Sequence, residues 1–361
     1  MPATATYDTA IVGGGPAGVA TAIGLARAGA RVLLLERSPR PVDKPGEIIA
    51  SSARPLLAGL GLQDTLSTLR AHTLAGRFTC WHDAVGSDVA SILDPHGGGM
   101  VVHRGEFEAK LLKAARAAGV SLSCGSHLSE VVRQSGAWNI EFRDDAHNSG
   151  HMHSARVPLI VEASGRAAGV LGHGHRHRSD RLVALITIGP ARDGLHDQRL
   201  FIEATEGGWW YGFLLPDGTA VVAMLTSALL LPEGAARRRS VWTADLQSTR
   251  HVKALISGRT VGAFRGVAAD SSIRSQLSGD AWVAVGDAAA AYDPITGSGV
   301  AAAISKGAAL ARLLINRPQS AAIAEYVAAE RDVFATYESH RRNIYREAAG
   351  RFSSAFWNQW K

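Results

Sequence analysis

Cysteine is almost missing from this sequence: Cys80 and Cys124 are the only two, 44 positions apart and outside any CxxC pair. Neither a disulfide framework nor a cysteine zinc site can organise such a chain. Long apolar runs are missing as well. Ala220–Leu231 is interrupted by Thr226 and Ser227 and stops at Pro232, too short to span a membrane. The opening residues, MPATATYDTAIVGGG, lack a basic n-region, an apolar h-region and a cleavage site, so the expectation is a cytoplasmic protein. Internal repeats and low-complexity linkers are absent too. What is present is ordinary for a globular chain, with 46% hydrophobic and 19% charged residues, and 361 residues suggest about two domains.

The net charge is +6, and positive residues gather at Gly172–Arg181, Ala236–Ser240 and Ser339–Arg346. No nucleic-acid motif accompanies them, so nucleic acid is not an expected partner. A solvated surface or a docking face for an acidic protein is the simpler reading. His173, His175 and His177 alternate with Gly174 and Arg176, but flanking arginines repel a cation, and no metal is expected.

Tyr7–Val12 is a short apolar run ending in glycines, followed by PAGVATAIGLARAGA and then RVLLLER. Strand, tight turn, helix and buried parallel strand form a βαβ unit. Ser52–Leu62 reads as a helix stopping near Gly61, and Thr73–Trp81 and Ser87–Leu93 alternate like strands. Arg104–Leu122 is amphipathic, with Phe107, Leu111, Leu112 and Ala115 on one face and Gly119 as terminator. A meander follows from His127 to Ala163, then a β-rich block through Thr226. The parallel pattern returns with AWVAVGD and the helix Gly299–Ile315, and the chain from Ala321 is helical and charged.

Gly13-Gly14-Gly15-Pro16-Ala17-Gly18 fits G-x-G-x-x-G directly after a strand and at the opening of a helix. Gly13 permits the tight turn, Gly15 admits a pyrophosphate to the backbone, and Gly18 allows close helix–strand packing. Glu36 ends the second strand, where a carboxylate can bind a ribose diol. The stretch GDAAAAYDPITGSGV, Gly286–Val300, distinguishes FAD from NAD. It sets Asp287 at the carboxyl edge of the sheet and brings Pro294, Gly297 and Gly299 up to a flat ring. The helix starting there aims its positive end at that ring, which favours charge on a reduced flavin.

GGGPAG with Glu36-Arg37, HRGEFEAKLL, VEASGR and GDAAAAYDPITGSG together resemble the flavoprotein hydroxylase superfamily with the para-hydroxybenzoate hydroxylase fold, over roughly the whole chain. The resemblance implies that Gly286-Asp287 contacts the flavin ribityl chain and that Arg104 lies near the pyrophosphate. The middle motif departs from the Asp-Gly pair of the aromatic hydroxylases, since Glu162-Ala163-Ser164-Gly165 stands there.

A narrower likeness rests on PGEIIASSARPLLAGLG, FTCWHD, SDRLVAL, GGWWYGFLLPDG and FSSAFWNQW. These are similar to the branch of tryptophan halogenases and of flavoproteins that hydroxylate a protein-bound tryptophan while maturing tryptophylquinone cofactors. The halogenase lysine is absent from LAGRFTCW, and the halogenase Trp-x-Trp-x-Ile-Pro falls on Tyr211–Pro216 with both tryptophans replaced. Geranylgeranyl-type alkene reductases fit that stretch through Tyr-x-Trp-x-Phe-Pro, from which Phe213 and Leu215 deviate.

The expected fold is α/β: a Rossmann-like FAD-binding domain with a mostly parallel sheet, an antiparallel substrate sheet and C-terminal helices. The FAD-binding domain is expected to comprise residues 1–75, 100–180 and 261–320, the substrate sheet 76–99 and 181–260, and the helical segment 321–361. The resemblance implies a flavin-dependent monooxygenase acting through a C4a-hydroperoxide on an electron-rich aromatic ring, an indole on a peptide or partner protein being favoured. Its electrons would come from NAD(P)H or a separate flavin reductase, with O2 as co-substrate. Glu47 and Tyr211 are the catalytic candidates, and Trp81, Trp209, Trp210 and Phe213 the candidates for a substrate pocket. Alternation sends Trp209, Tyr211 and Phe213 to one strand face and Trp210 to the other. Rival readings are an alkene reductase, a halogenase and a non-catalytic flavoprotein assembly factor.

Overall fold

The computed structural model describes residues 5–144, 151–167, 169–172, 174–256 and 264–361. A six-stranded sheet forms its centre, in the order Ser278–Gly279, Trp282–Ala284, Ile160–Glu162, Thr9–Val12, Val32–Glu36 and Ser121–Cys124. All neighbours are parallel except the first pair. Thr9–Val12, Val32–Leu35 and Ile160–Glu162 are buried on both faces, as parallel strands covered by helices must be. The chain runs from Thr9–Val12 outward to Ser121–Cys124 and then returns to the other side of its first strand. That reversal makes the carboxyl end of Thr9–Val12 the topological switch point, where such sheets bind ligands.

The helices Pro16–Arg27, Gly299–Asn316 and Arg104–Ala117 share one core on one face. Pro16–Arg27 packs against Gly299–Asn316 through small residues: a Cβ on Gly24 would meet the Ala311 methyl at 2.6 Å, and one on Gly307 would meet the Ala17 carbonyl oxygen at 2.2 Å. Gly299–Asn316 is long and apolar enough to cross a membrane, but here Val300, Ala301, Ile304 and Leu310 are buried in the protein core. Arg104–Ala117 buries Phe107, Leu111, Leu112 and Ala115 as its periodicity predicts, and Gly119 ends it at φ +90°.

The second large sheet has seven strands, in the order Phe264–Ala268, Leu182–Pro190, Thr219–Ser227, Gly208–Leu214, Arg199–Thr205, Gly76–Cys80 and Ser87–Ala90. It differs from the expected substrate sheet in two respects. Arg199–Thr205 pairs with Gly76–Cys80 in parallel. Phe264–Ala268 pairs along Val183–Thr187, so the sheet extends beyond residue 260. Smaller departures are local. The strand read over Ser87–Leu93 stops at Ala90 and turns into a 3-10 segment, and the helix read over Ser52–Leu62 ends at Gly59 ahead of Gly61 at φ +56°. The meander expected from His127 to Ala163 is divided: Ser126–Gln134, Ala137–Asp144 and His151–Val157 form a separate four-stranded sheet with Ala5–Thr6, while Ile160–Glu162 joins the central sheet.

The seven-stranded sheet is buried on both faces. Trp209 and Phe213 belong to a core shared with the C-terminal helices Gln319–Ala349 and Ala355–Asn358, and Trp210 belongs to another under the helix Ala235–Leu246. Period-two alternation sorts these rings correctly, but it cannot tell that the second face is covered as well.

Candidate active site

The GGGPAG, Glu36-Arg37, VEASGR and GDAAAAYDPITGSG motifs all emerge at the carboxyl edge of the parallel sheet. Val12 lies level with Leu35 and with Glu162, and Glu162 with Ala284. Gly13, Glu36, Ala163 and Gly286 therefore follow one another along a single rim.

Within the first loop the glycines play separate parts. Gly13 has φ +117°, and a Cβ there would stand 2.3 Å from the Ala163 carbonyl oxygen. A Cβ on Gly18 would come within 2.0 Å of the Gly13 carbonyl oxygen, so both positions are closed by the protein itself. Gly15 differs: its φ is −72°, and a Cβ there would meet nothing within 4 Å. Above it the helix opens with Pro16 and Ala17, without a side-chain cap and without an acid in its first turn. Unpaired N–H groups facing open space beside a bare backbone fit a pyrophosphate. Glu36 accepts hydrogen bonds from Gly14 N–H at 2.7 Å and Ser38 N–H at 2.8 Å. Those bonds fix the carboxylate at the strand end and leave it lone pairs for a ribose diol. Arg37 is exposed beside it.

Arg104 is buried and fully engaged. Its Nε donates to Glu108 Oε1 at 3.1 Å and its Nη1 to the Gly46 carbonyl at 3.0 Å, while Nη2 lies 2.9 Å from Glu108. Lys44 reaches the other Glu108 oxygen at 2.7 Å. Here Arg104 is the strut of the Gly46-Glu47 turn, and the pyrophosphate contact expected of it competes with these bonds.

That turn carries Glu47, which is only 6% exposed and accepts from Gly46 N–H at 2.8 Å. Burial pushes its carboxyl above the ordinary range, against the pull of backbone N–H groups and Arg104. The charge of Glu47 in turn acts on Tyr211, whose phenol is raised first by burial and second by that carboxylate. Tyr211 keeps partial exposure, and its hydroxyl has no hydrogen-bond partner among the described residues. Its ring lies between Trp209 at 6.1 Å and Phe213 at 6.2 Å.

On the late loop, Gly286 takes φ +63° with its α-carbon against Ala17. Asp287 is 44% exposed, with Arg166 Nε 3.5 Å away, and its backbone carbonyl accepts from Arg176. Pro294 and Gly297 are exposed, Gly297 at φ +60°, and a Cβ on either Gly297 or Gly299 would meet nothing within 4 Å. The helix from Gly299 opens without a side-chain cap or an acid in its first turn. These residues form a second open cradle with unpaired N–H groups.

Asp293 anchors this loop. It is buried and accepts from Ile295 N–H at 2.8 Å and from Tyr345 OH at 2.7 Å, while its own N–H donates to Tyr337 OH at 2.7 Å. Tyr345 OH also accepts from Trp209 Nε1 at 2.8 Å. Arg341, on the helix Gln319–Ala349, donates to Asp180 and lies 3.7 Å from Asp293. Burial pushes the Asp293 carboxyl up to about 6. Sequence reading missed this group, since nothing in the pattern distinguishes Arg341 from the exposed Arg342 and Arg346.

The expected pocket aromatics are mostly core. Trp81 donates to the Ile344 carbonyl at 2.6 Å and packs against Trp209, Tyr345 and Trp357. Trp210 points away from Tyr211, donating to Asp245 at 2.7 Å and packing on Trp242. Among this set Tyr211 is the ring left accessible, because the others have found partners inside. Glu162, where the hydroxylase Asp-Gly pair would stand, is fully buried and accepts from Ser164 Oγ and the N–H groups of Gly169, Val170 and Leu171. It fastens the loop behind Ala163. Cys80, Glu203 and His251 bring ligand-type atoms within 4.8 Å of one another, but the Glu203 oxygens already accept backbone N–H groups from Arg250, His251 and Val252. His175 and His177 pack edge to face, and His173 lies outside the described residues.

Two open glycine cradles on one sheet edge, with a carboxylate at the strand end and a second sheet alongside, define a flavoprotein of the FAD-binding α/β kind. Residues 6–167 match the FAD binding domain family. The FAD-dependent oxidoreductase LodB of Marinomonas mediterranea is 26% identical to this chain, over 98% of this chain and 96% of its own length. Among solved structures, the myxobacterial chondrochloren halogenase CndH superposes with TM-score 0.87 at 22% identity, over 99% of this chain and 86% of its own. The peptidyl tryptophan dihydroxylase QhpG, essential for tryptophylquinone cofactor biogenesis, superposes with TM-score 0.78 at 25% identity, over 99% and 79%. Residues 6–167 thus carry an FAD binding domain, and the chain as a whole is similar to FAD-dependent oxidoreductases.

Proposed function

We propose that this flavoprotein inserts one oxygen atom from O2 into an electron-rich aromatic ring, an indole carried on a polypeptide being the preferred target. The observation that carries the reading is the combination of two open glycine cradles with a buried carboxylate, Glu47, and a partly exposed ring, Tyr211, on an otherwise packed aromatic strand. Bound FAD would supply the redox and oxygen-activating chemistry. Gly15 and the first helix would hold its pyrophosphate, Glu36 its ribose, Asp287 its ribityl chain, and the Pro294–Gly299 turn its ring. The remaining work of the protein is to exclude water and orient the acceptor. Ionised Glu47 can accept an indole N–H, and the phenol of Tyr211 can donate to a polar atom beside the ring. The likeness to QhpG supports the indole. The halogenase reading has the higher structural similarity through CndH, but Gly76–Cys80 carries no lysine.

The test supplies FAD, a reductant and 18O2 together with a tryptophan-bearing peptide. One 18O atom added to the indole, read by mass spectrometry, is the expected result. Exclusive chlorination or bromination in halide buffer would overturn it, as would reduction of an alkene without oxygen uptake.

Glu47 gives a sharper check. Because burial raises its carboxyl, the acid limb of the pH–rate profile should lie above the ordinary value of 4.5. Glu47→Gln should remove that limb and slow turnover about 10- to 100-fold, the loss of one charge-assisted hydrogen bond.

A further inference from the structure

Outside the site, the second half of the helix Gln319–Ala349 carries the exposed cations Arg342 and Arg346, with the exposed acid Glu347 after them. A groove of about 510 Å³ runs there, edged by Ser179, Arg342, Arg346, Gln359, Trp360 and Lys361. Arg342, Arg346 and Lys361 are exposed cations. Glu338 also lines the groove, its Oε1 3.5 Å from Arg341 Nε, so the three exposed cations face one carboxylate there. Arg346 is tied to Asn343 at 3.0 Å, which holds it along the helix without cancelling its charge.

The floor of the groove is unusual for a solvated surface. Trp360 stacks on Tyr345, with centroids 4.2 Å apart, and the Arg341 guanidinium lies 4.9 Å from the Trp360 ring centroid. Its indole N–H is buried and has no hydrogen-bond partner among the described residues. A buried unpaired donor costs free energy unless an acceptor reaches it. An incoming carboxylate or carbonyl oxygen would supply one.

The opposite flank of the same helix borders a second groove, also about 510 Å³, lined by Val333, His340 and Ile344 together with Ile295 and Thr296. Ile295 and Thr296 belong to the loop that forms the late glycine cradle. One helix thus separates a basic polar groove from an apolar groove that reaches the loop assigned to the flavin ring. A small free aromatic compound needs no basic groove of this size beside its site. A polypeptide does, because it must be held in register by residues remote from the reacting ring.

From this we infer that the groove along Arg342, Arg346 and Lys361 docks an acidic segment of a polypeptide partner, its carboxylates pairing with the cations and a backbone or side-chain oxygen meeting the Trp360 N–H. The inference rests on the monooxygenase reading for what happens to the bound chain, but not for the docking itself. Charge complementarity commits it to an acidic protein segment, since the groove carries three exposed cations around an indole donor.

The experiment is fluorescence anisotropy with FAD-loaded protein at low salt, and the probe is a fluorescein-labelled peptide of alternating Glu and Ser around one Trp. The expected result is saturable binding that weakens with added salt and falls at least tenfold in Arg342→Glu/Arg346→Glu. Both residues are exposed, and an unchanged bound-flavin spectrum checks that the variant is folded. Equal binding of the analogue with Lys in place of Glu would overturn the inference. So would an unaffected double variant, or tighter binding of a DNA duplex than of the acidic peptide. Docking is read without turnover, so the two proposals fail separately. Peptide that binds but is never oxygenated sinks the monooxygenase reading, whereas oxygenation of free indole with no peptide binding sinks the groove.

Discussion

Gly15→Ala should yield a protein that folds as well as the wild type and binds FAD at least about 100-fold more weakly. The position already has φ −72°, which any residue adopts, and an added methyl meets no protein atom within 4 Å. Its cost therefore falls on the ligand. A methyl in the cradle holds a pyrophosphate away from the N–H groups of the helix start, and two lost hydrogen bonds to a charged acceptor amount to about 3–6 kcal/mol. Gly13→Ala should behave in the opposite way. Its methyl would stand 2.3 Å from a backbone carbonyl oxygen at φ +117°, so strain and overpacking together cost about 2–6 kcal/mol of fold stability. Thermal unfolding of the apoproteins and titration of flavin fluorescence separate the two. A Gly15→Ala protein that holds FAD like the wild type would remove the first loop from the cofactor site.

The second large effect belongs to Arg341. Arg341→Met removes the only cation within ion-pair distance of Asp180 among the described residues and leaves three acids, Asp180, Asp293 and Glu338, without it. Removing one partner of a buried ion pair costs about 3–5 kcal/mol, a large part of the stability of an ordinary domain. The damage should reach the site, since Asp293 fixes the start of the Pro294–Gly299 loop through Ile295 and Tyr345. Flavin affinity and melting temperature should fall together in Arg341→Met, and both should recover in part when Asp180→Asn and Asp293→Asn are added. Asp293 also carries a pH signature. With its carboxyl raised to about 6 from 3.8, the folded state holds a proton that the unfolded state has released in between. Its stabilising contribution is complete below the unfolded value and is lost as the pH rises through about 6. Relative to Asp293→Asn, the wild type should lose up to about 3 kcal/mol across that window, measured by denaturant unfolding. A flat difference would mean that folding leaves the Asp293 carboxyl at its ordinary value.

The cofactor half of this architecture was legible because it is written in local rules. A strand that ends in glycines, a helix that opens with proline and an acid at the next strand end are contiguous signals. Gly286–Gly299 repeats that grammar. The substrate half was less legible, because its features depend on what lies opposite. Trp209 and Trp210 alternate as a strand requires, yet only the helix Ala235–Leu246 shows that the far face is covered too. Arg104 reads as a phosphate ligand by its motif, but Glu108 one helical turn later and Gly46 hold its guanidinium. Arg341 and Asp293 are 48 positions apart, and no period in either segment announces their encounter.

The two cradles have a consequence for how the protein is made. In the chain 273 positions separate Gly13 from Gly286, and the strand Trp282–Ala284 inserts between Ser278–Gly279 and Ile160–Glu162 in the central sheet. On the ribosome the first cradle emerges early, but its neighbour across the rim arrives only after most of the chain has been translated. If both cradles hold the flavin as proposed, its capture is a late event in biogenesis, and a nascent chain must keep Ile160–Glu162 free of wrong pairings until its second neighbour appears. A cofactor held by both would bridge segments remote in sequence, much as a crosslink would, and flavin supplied during expression should raise the yield of mature protein.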